Sequence, residues 1–280
     1  MRLGDIEVRH LYAGSFGLDG GAMFGVVPKP LWEKKSPPDA RNRIRLVCNS
    51  LLVRHSGKNI LIETGNGTKW SDKLRDIYKV QQGDPLADSL SSAGVSVASI
   101  DFVINTHLHF DHCGGNTRIV DNRAVPTFPN ARYIVQRGEI EHALQPTERD
   151  RASYFPENFI PVSEAGQWQP VEGNVEIFPG ISVDRIPGHN ADIQAVKLVG
   201  GGKTIVFIAD LFPTRHHLPL PWIMAYDLYP LQTLETKRKW LASIVQNNWI
   251  VVFGHDPDHP AATLHERDGK IEVEPVDLNR

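Results

Sequence analysis

Apolar residues run along this chain in short stretches rich in β-branched side chains, and several of them stop at a histidine or an aspartate. Ile44 to Val53, Asn59 to Glu63, Ile100 to Ile104, Arg132 to Gln136, Lys203 to Ala209 and Trp249 to Phe253 all have the length and composition of strands. Val175 to Val199 holds further strand-like runs. Helical signals lie between them. A short helix is predicted at Ser71 to Tyr78 and another at Gly138 to Leu144. Asp84 to Ala93 carries a capping Asp84, Pro85 at the first helical position and Gly94 at the stop. Leu231, Leu234, Leu241, Ile244 and Val245 fall on one face of an amphipathic helix over Leu231 to Val245. Strands and helices alternate with no repeat, low-complexity tract or linker, which predicts a single α/β domain over residues 1–280.

Residues 1–43 break this pattern. Glycines from Gly17 to Gly25 and prolines at Pro28, Pro30, Pro37 and Pro38 argue against regular helix. The exposed-looking Met23, Phe24 and Trp32 suit a flap over a site or a homodimer contact.

Composition narrows the class. The 280 residues, 41% of them hydrophobic, suffice for one large core. No stretch approaches the roughly 20 apolar residues of a membrane span, and Met1 to Val8 lacks an apolar signal core. Two cysteines far apart, Cys48 and Cys113, argue against a disulfide framework and for a reducing, cytoplasmic setting. A net charge of −3 without a basic field argues against nucleic acid, leaving a small-molecule substrate as the expected partner.

The chemistry begins where Ile100 to Ile104 ends. His107-Leu108-His109-Phe110-Asp111-His112 places three imidazoles and a carboxylate at i, i+2, i+4 and i+5, a spacing that cannot share one helical face. It predicts a loop with converging side chains, left by the tight exit Gly114-Gly115. Imidazole and carboxylate are ligands for zinc, iron, manganese or cobalt. Four such groups exceed what one catalytic ion with an open position takes from one loop, so the motif suggests two ions. The pattern of a strand feeding a ligand recurs at Asp210 and at His255, and His189 sits in the turn Pro187-Gly188-His189-Asn190. His10, His55, His142 and His265 have no such context, while His259 is a weak supporting candidate. Cys113 reads as a small buried residue rather than a ligand.

In the order and spacing of these elements, roughly from residue 44 to 257, the chain resembles the metallo-β-lactamase-fold superfamily. The resemblance implies a four-layer αββα sandwich with a metal site at one edge of its two sheets. It implies that His107, His109 and His189 hold one ion, that Asp111, His112 and His255 hold a second, and that Asp210 bridges them. The set resembles N-acyl-homoserine-lactone lactonases and hydroxyacylglutathione hydrolases more than true β-lactamases, which lack the bridging aspartate. Asp19 to Pro28 and Leu220 to Asp227 look similar to the lactonase-like branch. Three positions depart from the family pattern. Glu63 stands before Thr64-Gly65 where an aspartate is usual, and Asn190 follows His189 where a threonine is usual. Pro213 occupies the place where lactonases commonly carry a tyrosine, so Tyr226, Tyr229, His216 and His217 are the available substitutes.

The resemblance implies a dinuclear metal-dependent hydrolase, with zinc first and manganese, iron or cobalt as alternatives. Two ions roughly 3.5–4 Å apart would share a hydroxide whose parent water has its pKa lowered to about 7. Asp111 and Asp210 are the catalytic candidates, Asp210 setting the inter-metal distance and Asp111 orienting the hydroxide. Met23, Phe24, His216, Trp222 and Tyr226 are the side chains expected around the substrate. Lactones suit this chemistry, with a quorum-quenching acyl homoserine lactone leading. Thioesters, phosphotriesters and a non-catalytic metal-binding or sensor role are the alternatives.

Overall fold

The structure is a computed structural model describing residues 1–280. The first sheet is built from β1 (Arg2–Leu3), β2 (Ile6–Asp19), β3 (Arg43–His55), β4 (Lys58–Ile62) and β5 (Phe102–Ile104). After a small hairpin of β6 (Thr117–Val120) and β7 (Arg123–Pro126), β8 (Arg132–Ile134) completes it, in the order β1-β2-β3-β4-β5-β8. The second sheet comprises β9 (Val175–Phe178), β10 (Ile181–Arg185), β11 (Gln194–Gly200), β12 (Lys203–Phe207), β13 (Ile250–Val252), β14 (Ala261–Arg267) and β15 (Lys270–Pro275). Its order runs unbroken from β15 back to β9.

Two-residue periodicity explains why the sheets stack. In β3, Leu51 and Val53 join a core shared with Ile181, Val183, Val196 and Ile205 of the second sheet, whereas Leu52 faces the other way. Ile60 and Ile62 flank Leu61 in the same manner, and Ile104 and Ile134 oppose Val103 and Tyr133. The outer face packs on the helix Pro85–Ser92 through Leu86 and Leu90, while the long helix Pro230–Gln246 covers the second sheet with Leu241 and Ile244. Burying each such side chain contributes roughly 1.5–3 kcal/mol, which holds the layers in register. The helix predicted at Asp84 to Ala93 is present, with the Asp84 carboxylate capping the Ala87 N–H at 3.1 Å.

The N-terminal segment differs from its sequence reading. Residues 6–19 are a sheet strand paired along β3 rather than a flap. The register shifts between Tyr12 and Ser15, where Gly14 takes φ 114°, and this breaks the alternation that would have announced the strand. Residues 20–32 hold two short helices, Gly20–Phe24 and Lys29–Trp32. Met23, Phe24 and Trp32 are buried, not exposed. The Phe24 ring stacks on Trp32 at 5.4 Å and on His217 at 4.7 Å. Trp32 lies so close to Gly20 that a Cβ there would sit 2.4 Å from the indole, so only glycine fits.

At one edge the sheets are joined by polar bonds instead of apolar packing. The Asn49 side chain donates to the carbonyls of Phe253 (2.8 Å) and Asp256 (3.0 Å), and its backbone N–H donates to Gly254 (2.8 Å). The Val47 N–H donates to the His255 carbonyl at 3.3 Å. The chain leaves β5, β10, β12 and β13 toward this same edge, and the candidate ligands lie in the segments that follow these strands.

Candidate metal centre and cleft

His107 begins three residues after β5. The stretch predicted to be loop throughout closes into one helical turn, Phe110–Cys113, because the His112 and Cys113 N–H groups bond back to the His109 carbonyl at 3.1 and 3.0 Å. That turn sets Asp111 and His112 beside each other after the extended His107 and His109. His189 is delivered by the turn after β10. A Cβ on Gly188 would lie 2.6 Å from the Thr233 Cα, so this turn packs on the helix Pro230–Gln246 only with glycine at that position. Asp210 and His255 come after β12 and β13.

These seven side chains, all buried, form overlapping groups. His107, His109 and His189 bring one ligand atom each to within 4.8 Å of one another, as do Asp111, His112 and His255, and as do His107, His112 and Asp210. One Asp210 oxygen lies 3.1 Å from His255 Nε2 and 3.4 Å from His112 Nε2, and the other lies 3.5 Å from His189 Nε2.

The hydrogen bonds behind the rings show what suits the space between them. His112 Nδ1 donates to Glu63 at 2.7 Å, His189 Nδ1 to Asp227 at 3.0 Å and His255 Nδ1 to the Val47 carbonyl at 2.8 Å. Each inward Nε2 is then left with a lone pair. Yet His112 Nε2 and His255 Nε2 stand 3.0 Å apart, and His189 Nε2 stands 3.1 Å from His109 Nδ1. A proton can satisfy one nitrogen of each pair, whereas a cation engages both. His107 Nε2 is likewise buried with no partner in the protein. The donor set therefore fits divalent cations.

Electrostatics agree. Burial, followed by the neighbouring imidazoles, holds His107 and His109 well below the ordinary histidine range, in the neutral form that binds metal. Burial also opposes charge on His112 and His255, but Asp210, with Glu63 and Asp111, pulls His112 well above the usual value and His255 upward. His189 rises too, where the Asp227 bond and Asp210 outweigh burial. The carboxylates demand positive charge here, and protons or metal can supply it.

Of the supporting residues, Glu63 and Asn190 stood out in the sequence as departures from the family pattern, whereas Glu139 did not stand out at all. Glu63, whose long arm departs from the usual aspartate, reaches both the His112 ring and the Thr106 N–H. It does so from a left-handed backbone at φ 65°, and Ala209 beside Asp210 is similarly strained at φ 51°. Glu139, on the helix Arg137–Leu144, accepts from the Leu108 N–H (2.8 Å), the Tyr154 hydroxyl (3.0 Å) and the Asn190 amide (2.8 Å). It thereby ties the His107–His109 loop to the His189 turn, with Asn190 in the place of the usual threonine. Burial pushes the Glu139 carboxyl up to about 7, against those three donors. Asp227 was likewise missed. Pro213, at the position of the lactonase tyrosine, uses its carbonyl to accept the His255 N–H at 2.9 Å.

A cleft of about 130 Å³ opens over His109, Asp111, His189, Asp210 and His255. Met23 and Tyr226 line it. Phe24, Trp222 and His216 do not, contrary to the sequence expectation. Phe24 is drawn into the aromatic stack, Trp222 packs edge-on against Phe24 at 5.6 Å, and His216 lies in the turn Arg215–His217, where burial and Arg215 lower its pKa to about 4. His217 is equally remote, bonded to the Met23 carbonyl at 2.9 Å. Cys113 is buried and donates to the Leu108 carbonyl, as a packing residue would. Leu18, Tyr78, Phe110, Arg149 and Met224 complete walls that the sequence did not reveal.

Comparison with known proteins places this geometry. The chain is 25% identical to the N-acyl homoserine lactonase AttM of Rhizobium radiobacter over 224 residues, covering 74% of this chain and 81% of that one. It is 26% identical to the N-acyl homoserine lactonase AiiA of Bacillus thuringiensis subsp. kurstaki over 211 residues, 70% and 76% of the two chains. A probable metal-dependent hydrolase from Staphylococcus aureus superposes with a TM-score of 0.91 at 30% identity over 99% of both chains. AidC, a dizinc quorum-quenching lactonase, shares the fold with a TM-score of 0.82 at 19% identity, over 99% of this chain and 96% of that one. The model of the metallo-beta-lactamase superfamily matches residues 43–255, the span from the first residue of β3 to the last histidine of the cluster. With that span matched and the hydrolase fold reproduced end to end, the chain belongs to the metallo-beta-lactamase superfamily.

Proposed function

We propose that this hydrolase opens a lactone or related carboxylic ester, with an acyl homoserine lactone as the first substrate to test. Two divalent ions, zinc first, would be held by His107, His109 and His189 on one side and by Asp111, His112 and His255 on the other. The observation that carries this reading is the Asp210 carboxylate, with one oxygen toward His189 and the other toward His112 and His255. Bound there, two ions supply a water deprotonated near neutral pH and Lewis acidity at the scissile carbonyl.

The protein's own part is positioning. Glu63, Asp227 and the Val47 carbonyl fix the tautomers and tilts of three imidazoles, and Glu139 sets the spacing of the two histidine loops. Asp111, buried at the cleft floor, is placed to orient the attacking nucleophile. Tyr226 is the one of the four substitute donors that lines the cleft. Burial raises its pKa above the usual tyrosine range, so it stays protonated and can donate toward the substrate carbonyl or the leaving oxygen. Ester and lactone leaving groups need little more protonation help than that, unlike amides. The lactonase relatives at about a quarter identity support the same class.

Acid release from N-hexanoyl-homoserine lactone, with and without chelator, tests this directly. Hydrolysis abolished by chelator and restored by zinc is expected, with about two ions per chain by elemental analysis. Turnover indifferent to chelator would overturn it. A glutathione thioester and a phosphotriester assayed in parallel would show whether the bond class is misassigned.

A further inference from the structure

We propose that Arg149 makes the rim of the cleft a binding site for a carboxylate, so that the substrates turned over best are lactones or esters whose acyl side chain ends in an anionic group. This deepens the ester and lactone reading and rests on it.

Arg149 lines the same cleft as His109, Asp111 and Asp210, on the segment between the helix Arg137–Leu144 and the turn Arg151–Ser153. That segment is anchored on both sides of the arginine. Buried Asp150 binds the His142 Nε2 at 2.5 Å and the Thr147 hydroxyl at 2.6 Å, and Tyr154 is held by Glu139. The guanidinium itself makes one bond, from Nη2 to the Ala225 carbonyl on the opposite side of the mouth, at 2.5 Å. It forms no ion pair, and its other four N–H donors have no acceptor in the protein.

Neighbouring groups have the same character. Tyr78, Tyr226 and Ser153 line the cleft, and their hydroxyls make no hydrogen bond within the protein. Burial, followed for Tyr78 by the Asp111 charge, raises both phenols, so they remain donors. The only carboxylates of the cleft, Asp111 and Asp210, lie at its floor among the histidines. Leu18, Met23, Phe110 and Met224 supply the apolar walls between. The cleft thus runs from a floor that activates an ester, past walls that suit a short acyl chain, to a rim of unpaired donors around an exposed planar cation tethered by one hydrogen bond. A carboxylate is the acceptor that such a fork takes in a bidentate manner.

The test compares N-hexanoyl-homoserine lactone with N-adipoyl-homoserine lactone, which ends in a carboxylate, on metal-replete enzyme. The anionic lactone should show a kcat/KM about 10-fold higher or more, carried mainly by KM and eroded by salt. Arg149→Met should abolish that preference while leaving the neutral lactone within about twofold, and Arg149→Lys should retain part of it. Equal rates for the two lactones, or an equal loss on both in Arg149→Met, would overturn the assignment. Calorimetric binding of the two ring-opened acyl-homoserines gives a readout independent of turnover. Tighter binding of the adipoyl compound that vanishes in Arg149→Met supports the rim site, and equal affinities in the unmodified protein refute it. If neither lactone is hydrolysed, the lactone reading falls, and this binding measurement still decides the role of Arg149.

Discussion

The floor and the rim of the cleft are built on opposite principles. At the floor each of three imidazoles is gripped from behind by a buried acceptor, and the carboxylate between the two groups has an oxygen for each. At the rim a guanidinium, two phenols and a hydroxyl reach into the cleft with almost nothing to hold them from within the protein. The floor is over-determined, its groups held in one arrangement from several sides. The rim is under-determined, and its donors await acceptors from the substrate. This arrangement separates what the enzyme does to a bond from which molecule it does it to.

The contrast can be broken from the floor first. Asp210→Asn should lower kcat/KM by about 10³-fold or more and reduce the metal content below two ions per chain, because several kcal/mol of charge stabilisation rest on that carboxylate. Next come the groups behind the rings. Glu63→Gln and Asp227→Asn should each weaken metal binding by about 10- to 100-fold in competition with a chelator, at an unchanged circular-dichroism spectrum. Glu139→Gln would leave an amide facing the Asn190 amide, and its loss should fall toward the lower end of that range, about 10-fold.

At the rim, Tyr226→Phe should lower kcat by roughly 10-fold with both ions retained. Since the phenol is held above its usual range, activity should show no fall from tyrosine ionisation up to about pH 10. The smallest effect is expected for His216→Ala, which sits outside the cleft and should change kcat/KM by no more than about twofold. A large loss in that variant would mean that the floor and rim extend beyond the residues now seen to line the cleft.

Sequence pattern made the strands that feed the floor legible because they are uniformly apolar and end in a metal-binding residue type. The His107 to His112 spacing was legible for the same reason. β2 escaped because its bulge at Gly14 breaks the alternation, and because glycine and proline recur throughout residues 17–38. Met23, Phe24 and Trp32 were misread as exposed for the same cause: local composition says nothing of a helix turned inward against His217 and Trp222. Glu139, Tyr154 and Asp227 act through partners 31 to 51 residues away in all but one of their bonds, and no spacing rule reports that. Arg149 and Tyr78 look like ordinary surface residues until a turn and the end of the helix Asp72–Tyr78 bring them to the same cleft.

The seam between Asn49 and the residues after β13 bears on how the molecule comes together. Each sheet is drawn from a continuous half of the chain, residues 2–134 and 175–275, so each half carries its own strand pairing. His107, His109, Asp111 and His112 belong to the first half, and His189, Asp210 and His255 to the second. Neither half alone contains a full complement for either ion. With two cations held as proposed, each site would be completed only by docking of the two halves across the Asn49 seam, and metal uptake would report correct assembly.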